Sequence, residues 1–143
     1  MEKRNSIPVT VQLILEKEDK ILLMKRKNTG YEDGKYGLPG GHVEKNEEIK
    51  IAMIRETKEE IGIDIKKDDL KLYKVVNIKI NDETQYIYFI FNTCKWSGNI
   101  ENCESDKCEE VKWINKDNIP ENTIQFIKDL LKNNEDIYLP YGW

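Results

Sequence analysis

The chain has 143 residues, with 23 Lys and Arg against 27 Asp and Glu, a formal net charge of -4. That length suits one domain, residues 1–143, large enough to bury a core; the acidic balance argues against sequence-independent binding to nucleic acid, which needs a basic surface. No run approaches the roughly 20 apolar residues of a membrane span.

Cys94, Cys103 and Cys108 are odd in number, and the opening Met1-Glu2-Lys3-Arg4-Asn5-Ser6 has no apolar segment behind it. The expectation is a reduced, cytoplasmic protein. Cys103 and Cys108 are widely spaced for a metal pair and His42 is the single histidine, which argues against zinc. Ile7, Val9, Val11, Leu13 and Leu15 alternate with mostly polar neighbours, the pattern of a half-buried strand. A charged turn, Glu16-Lys17-Glu18-Asp19-Lys20, leads to Ile21-Leu22-Leu23-Met24, a more deeply buried strand, and the two predict a hairpin. Its end is basic, Lys25-Arg26-Lys27. Residues 28–36 are rich in turn formers and read as a loop. Tyr31 and Tyr36 within it either stack on a nucleobase or cap the core. Gly37-Leu38-Pro39-Gly40-Gly41 follows, and glycine lets backbone approach a ligand closely.

Residues 40–63 read GGHVEKNEEIKIAMIRETKEEIGI. Asn46 is the expected N-cap of a helix, with Glu47 and Glu48 in its first turn on the favourable side of the dipole, and Gly62 closes it as a left-handed C-cap. At roughly 100° per residue, Glu56 shares a face with Ile49, Ala52 and Met53 before it and with Glu59 and Glu60 after it. That stripe starts apolar and ends in three carboxylates. Glu56 and Glu60, four residues apart, repel, and Glu59 and Glu60 occupy the last turn, where the dipole prefers cations. Carboxylates within ~4 Å oppose one another by about 1 kcal/mol per pair in water and several-fold more where solvent is partly excluded. A merely solvated helix face is a poor account of such a stripe. Hard divalent cations such as Mg²⁺ take oxygen ligands and keep positions open for phosphate oxygens, so a carboxylate cluster beside a Gly-Gly turn points to a metal–phosphate site. Arg55 and Glu47 lie two helical turns apart, and spacing alone gives them no bond.

Residues 70–80 are strand-like, Asn81-Asp82-Glu83-Thr84 turns the chain, and Tyr86-Ile87-Tyr88-Phe89-Ile90-Phe91 has the β-prone, aromatic character of a central strand. After the turn Trp96-Ser97-Gly98-Asn99, residues 101–110 are acidic and irregular and end in a short strand, Val111-Lys112-Trp113-Ile114. Pro120 and Asn122 introduce a second helix with an amphipathic stripe of Ile124, Ile127, Leu130 and Leu131. The aromatic tail, Tyr138-Leu139-Pro140-Tyr141-Gly142-Trp143, is expected to dock on its own domain or on a second subunit.

Gly41, Glu47, Arg55-Glu56, Glu59-Glu60 and Gly62, at their spacing across residues 41–63, resemble the signature of the Nudix hydrolases (MutT-like proteins). Thr57 departs from that pattern, which takes a bulky aliphatic residue there. The resemblance implies an α/β (α+β) fold, an α/β/α sandwich in which a mixed sheet lies between the motif helix and the C-terminal helix. It implies Mg²⁺, with Mn²⁺ as a substitute, held by the Gly40 carbonyl, Glu56, Glu59 and Glu60. A further acidic ligand from the loop before the 111–114 strand would be Glu104 by position, with Asp106 second. Glu56, Glu59 and Glu60 become the catalytic set, Glu56 as general base or shared ligand. Gly41, Glu47, Arg55 and Gly62 support them, Arg55 and Glu47 through an ionic network. The strand end at Arg26 comes beside the pocket, where a guanidinium suits phosphate or a base edge.

The activity so implied is hydrolysis of a nucleoside diphosphate linked to another group. The first expectation, from a short chain without an added N-terminal domain, is a nucleoside triphosphate, with an intact or oxidised base, giving nucleoside monophosphate and pyrophosphate. ADP-ribose or another sugar nucleotide is the alternative. From another class comes a non-catalytic nucleotide sensor using the same pocket, which would ordinarily lack a motif glutamate or carry a DNA-binding domain. The partner is a small nucleotide, without nucleic acid or membrane, and the chain is a monomer or homodimer.

Overall fold

The structure is a computed structural model and describes residues 4–133 and 135–143. The first three residues, part of the N-terminal reading above, lie outside the described ones. Among the described residues one mixed sheet is built from β1 (Val9–Lys17), β2 (Lys20–Arg26), β3 (Tyr36–Gly37), β4 (Gly40–His42), β5 (Lys71–Asn81), β6 (Thr84–Thr93), β7 (Cys108–Asn115) and β8 (Tyr138–Tyr141). The order is β3-β2-β1-β6-β5-β8, with β4 added on β1 and β7 on β2. β1 runs parallel to β6 and β5 parallel to β8, while the other pairs are antiparallel.

The expected hairpin exists only at its turn. β1 and β2 pair at Glu16↔Ile21 and Lys17↔Lys20 and then part. β4 takes the vacated edge of β1 at Thr10, Val11 and Gln12, and β3 takes that of β2 at Met24 and Lys25. Within the fork so formed, the Leu13 N–H donates to the Pro39 carbonyl at 2.9 Å. The Gly-rich stretch before the motif helix is thereby woven into the sheet, and Tyr36, the last residue of the expected loop, belongs to β3.

Alternation along the strands sorts the core into two layers. Val11, Leu13, Leu15, Leu22 and Met24 face one side and pack with Ala52, Met53 and Ile61 of helix α1 (Ile49–Ile61). Ile14, Ile21, Leu23, Val76 and Ile90 face the other and pack with Phe126, Ile127 and Leu130 of helix α2 (Gln125–Lys132). The sheet thus lies between two helices, an α+β sandwich as expected. The tail docks on its own chain as β8, and the Trp143 indole donates to the Asn77 carbonyl. No helix of the described residues is long and apolar enough to cross a membrane.

The start of α1 corrects the expected capping. Glu48, not Asn46, is the N-cap, its carboxylate accepting from the Ile51 N–H at 2.9 Å. Asn46 sits at φ +60 in the preceding turn, and no acidic residue lies in the first helical turn. Gly62 ends the helix as expected, left-handed at φ +75 with its N–H on the Lys58 carbonyl. Thr57 is fully buried, and its hydroxyl donates to the Met53 carbonyl at 2.7 Å. That bond satisfies the polar atom that the departure from the motif brings into the core.

Candidate active site

The fork between β1 and β2, the last turns of α1 and one end of β6 enclose a cleft of about 820 Å³. Glu56, Glu59, Glu60 and Glu104 line it together with Gly40 and Gly41, and Arg26, Tyr31, Tyr86 and Tyr88 line the same cleft. The three motif glutamates reach one site because a period near 100° per residue stacks them on one helix face.

Arg55 organises that face. Its Nε and Nη2 grip both oxygens of Glu47 at 2.8 and 3.0 Å, its Nη1 donates to Glu56 at 2.9 Å and to Glu59 at 3.3 Å, and its Nη2 also reaches the His42 carbonyl at 3.1 Å. The bond to Glu47, which helical spacing could not supply, arises because Glu47 lies before the helix. The preceding turn folds it back, with its Oε1 also accepting from the Glu44 N–H. Hydrogen bonds from Arg55 hold the Glu47 carboxyl down at about 2. In return, Glu47 raises the Arg55 guanidinium further above its already high value.

The glycines are set by what lies on them. A Cβ on Gly41 would stand 2.5 Å from each Glu56 carboxylate oxygen. One on Gly40 would fall on the Val11 carbonyl oxygen and 3.1 Å from the Gln12 Cγ. The Gly40 N–H donates to Glu60 Oε1 at 2.8 Å, tying the strand to the helix end. Burial raises the Glu60 carboxyl to about 8, with Glu56 and Glu104 adding to the rise and the Gly40 N–H opposing it. Burial raises Glu56 as well, against the pull of Arg55.

These donors fit a hard divalent cation in kind and in charge. All are oxygens, and among the described residues neither Glu60 nor Glu104 is in an ion pair. They are not preassembled: among the described residues no three such side chains stand close enough to clasp an ion, and Glu59 is half exposed and paired to Arg55. Holding an ion here would therefore require these side chains to rotate.

The remaining expected residues divide. Glu104 lines the cleft, whereas Asp106 is exposed outside its lining and offers its carbonyl to Asn28. Tyr31 lines the cleft half exposed, its ring under the Arg26 guanidinium at 5.4 Å. Arg26 itself donates to the Tyr31 carbonyl at 2.7 Å and to the Thr29 hydroxyl at 3.2 Å. Tyr36 takes the core-capping alternative: it is 7% exposed, packs among the α2-side core and bonds Glu110 through its hydroxyl, outside the cleft. Sequence reasoning missed Thr10, Gln12, Tyr86 and Tyr88. Their signal was their side of the alternation in strands predicted correctly, polar or aromatic where Ile14 and Ile90 are apolar.

Comparison with known proteins fits this geometry. The family model described as NUDIX domain matches residues 6–133. An ADP-ribose pyrophosphatase of Methanocaldococcus jannaschii is 51% identical over 55 residues, 38% of this chain and 32% of that protein. An 8-oxo-dGTP diphosphatase of Proteus vulgaris is 31% identical over 65 residues, 46% of this chain and 58% of that protein. This chain therefore spans a third to somewhat over half of these curated relatives. The crystal structure of a MutT NUDIX hydrolase from Burkholderia pseudomallei superposes with a TM-score of 0.80 at 28% identity, covering 90% of this chain and 98% of that one. With a family match over most of its length and the sandwich of that neighbour, the chain belongs to the Nudix hydrolase family.

Proposed function

We propose that the chain works as one domain that hydrolyses a nucleoside diphosphate linked to another group, with Mg²⁺ as cofactor and Mn²⁺ as its substitute. The observation that carries this reading is the meeting of Glu56, Glu60 and Glu104 in one cleft beside Gly40 and Gly41, Glu60 and Glu104 without an ion pair among the described residues and Glu60 raised to about 8. Glu56, Glu59, Glu60, Glu104 and the Gly40 carbonyl would hold the ion. When bound, it supplies charge neutralisation at the diphosphate and a lower pKa for the attacking water.

The chain's own residues do the rest. Glu56 is the best candidate for general base. Partial burial keeps its carboxyl above the usual range, and Arg55 fixes its orientation from the side facing Glu47. Glu47 anchors Arg55, and Gly41 leaves the space that Glu56 fills. In the same cleft Arg26 meets phosphate or a base edge and Tyr31 offers a ring face.

The first substrate is a nucleoside triphosphate, its base intact or oxidised, giving monophosphate and pyrophosphate. A second reading, ADP-ribose or another sugar nucleotide, is favoured by the 51% identity to an ADP-ribose pyrophosphatase over 55 residues. Purified protein assayed with Mg²⁺ on a panel of both kinds separates them: released pyrophosphate supports the first, and sugar phosphate without pyrophosphate overturns it for the second. Tight nucleotide binding with no turnover anywhere in the panel would replace both with a sensor.

A further inference from the structure

Along the cleft, β1 carries two side-chain oxygens that lack partners, on Thr10 and Gln12, the strand partners of His42 and Gly40. Thr10 is 8% exposed, its Oγ1 is closed off from solvent, and no donor or acceptor among the described residues bonds it. Gln12 Oε1 is in the same condition. The two lie at i and i+2 on one face of the strand, about 7 Å apart along it. Leaving a buried polar atom unpaired costs about 1–3 kcal/mol, and packing alone gives no reason to incur that twice on neighbouring positions. Of the buried unpartnered side-chain oxygens among the described residues, the others, on Asn77 and Thr123, belong to residues outside the cleft. Thr10 and Gln12 both line it.

We propose that Thr10 and Gln12 are specificity-determining residues that read the edge of a nucleobase. This deepens the hydrolase reading above and rests on it for the reaction. The register sets Thr10 beside Tyr88 and Gln12 beside Ile90, and the Tyr86 and Tyr88 rings stand 6.0 Å apart, so an aromatic surface adjoins Thr10. The Gln12 side chain lies against Gly40, its strand partner, whose N–H bonds Glu60. A base resting on the tyrosines with its diphosphate toward Glu56 and Glu60 turns its edge to β1. Rotation about the side-chain bonds of Thr10 and Gln12 swings each oxygen from the wall into the cleft without moving the strand. The two unpartnered atoms are oxygens that can each accept, so the edge assigned to them brings two N–H donors. Uracil, thymine and hypoxanthine bring a single ring N–H whereas an exocyclic amino group brings two, so the substrate class is a nucleoside diphosphate derivative of an amino-bearing base, adenine, guanine or cytosine. A site built to bond such a group rejects the analogue lacking it, because the site's own polar atoms are then left unpaired.

The test uses two pairs differing by one amino group, ATP against purine riboside triphosphate and GTP against ITP, with the wild type, Thr10→Val, Gln12→Met and the double variant. Turnover with Mg²⁺ gives kcat/KM, and calorimetry with methylene-bridged analogues of the same nucleotides gives Kd without turnover. The wild type is expected to favour the amino-bearing member of at least one pair by about tenfold or more, a difference of ~1.4 kcal/mol. In the double variant that ratio falls to about twofold or less while the melting temperature is kept or raised, since unpaired oxygens are removed. A wild-type ratio near one in both pairs, or a ratio that survives in the double variant, overturns the proposal. Discrimination in Kd without hydrolysis of any nucleotide would remove the hydrolase reading and leave this one. Hydrolysis without discrimination would remove this one alone, and neither binding nor hydrolysis removes both.

Discussion

The Glu56 carboxylate occupies the space that a side chain on Gly41 would need: a Cβ there would stand 2.5 Å from each of its oxygens. Gly41 has no positive φ to accommodate, so its requirement is room alone. Gly41→Ala is therefore expected to push aside the far end of one flexible side chain, keep the melting temperature within a few degrees, and lower kcat/KM by about 10² through misplacement of Glu56. Gly40→Ala differs, because its Cβ would meet the Val11 backbone, so both stability and activity should drop. Melting curves and kinetics on the two variants check this. Equal destabilisation by both would mean that Glu56 does not own the space at Gly41.

The Glu60 carboxyl, raised by burial to about 8 from an ordinary 4.5, carries a signed pH dependence. The folded state holds the extra proton, so metal-free stability from this group is full below about 4.5 and is lost as pH rises through 8. Glu56 is raised and adds in the same direction, whereas Glu47, drawn down to about 2, contributes stability that is lost only as pH falls below 4.5. Protein stripped with a chelator should melt at progressively lower temperature across that rise, and Mg²⁺ should restore it. Glu60→Gln keeps an acceptor for the Gly40 N–H and removes the charge. It should raise the metal-free melting temperature at pH 8 by several degrees, weaken the Mg²⁺ effect and cut turnover by about 10² or more. Lower metal-free stability of this variant at pH 8 would contradict the account.

What the sequence disclosed follows from which signals are local. The carboxylate stripe and the Gly62 cap depend on helical periodicity and one φ angle, and both stand in the structure as read. The Glu47–Arg55 grip came from the family resemblance and not from spacing, because it depends on where the turn before α1 folds and on the helix beginning at Ile49. β3 and β4 were hidden for a related reason: they are too short for alternation to register and exist because β1 and β2 part. Tyr36 and Tyr31 share a loop composition, and only the tertiary register of Tyr36 beside Lys25 separates core from cleft.

Arg55 bonds three carboxylates and a backbone carbonyl, and a lysine cannot reproduce its fork. Arg55→Lys and Arg55→Ala should both reduce kcat more than they raise KM, since Arg55 orients Glu56 and lies outside the cleft lining. Arg55→Ala should also destabilise by about 1–3 kcal/mol, the scale for lost bonds to charged groups. Denaturant melts beside steady-state kinetics measure both. A large KM effect with kcat intact would instead put Arg55 on the substrate.

Tyr31 and Tyr36 give opposed expectations from one loop. Tyr31, half exposed over the cleft beside Arg26, should matter to the substrate: Tyr31→Ala raises KM by about 5- to 150-fold, the range for one lost base–aromatic contact of ~1–3 kcal/mol. It should leave melting within a few degrees. Tyr36 is buried, and its hydroxyl bond to Glu110, with burial assisting, pushes its phenol up to about 12. A folded value above the ordinary 10 means the protonated phenol is favoured, so this stability is present below pH 10 and is lost between 10 and 12. Tyr36→Phe keeps the ring and loses that bond, which should cost about 1–3 kcal/mol of stability and leave KM within twofold. Following phenolate absorbance against pH in the two variants gives an independent reading, since the late-titrating tyrosines should be one fewer in Tyr36→Phe. A Tyr36→Phe protein with unchanged melting and a large rise in KM would return Tyr36 to the substrate.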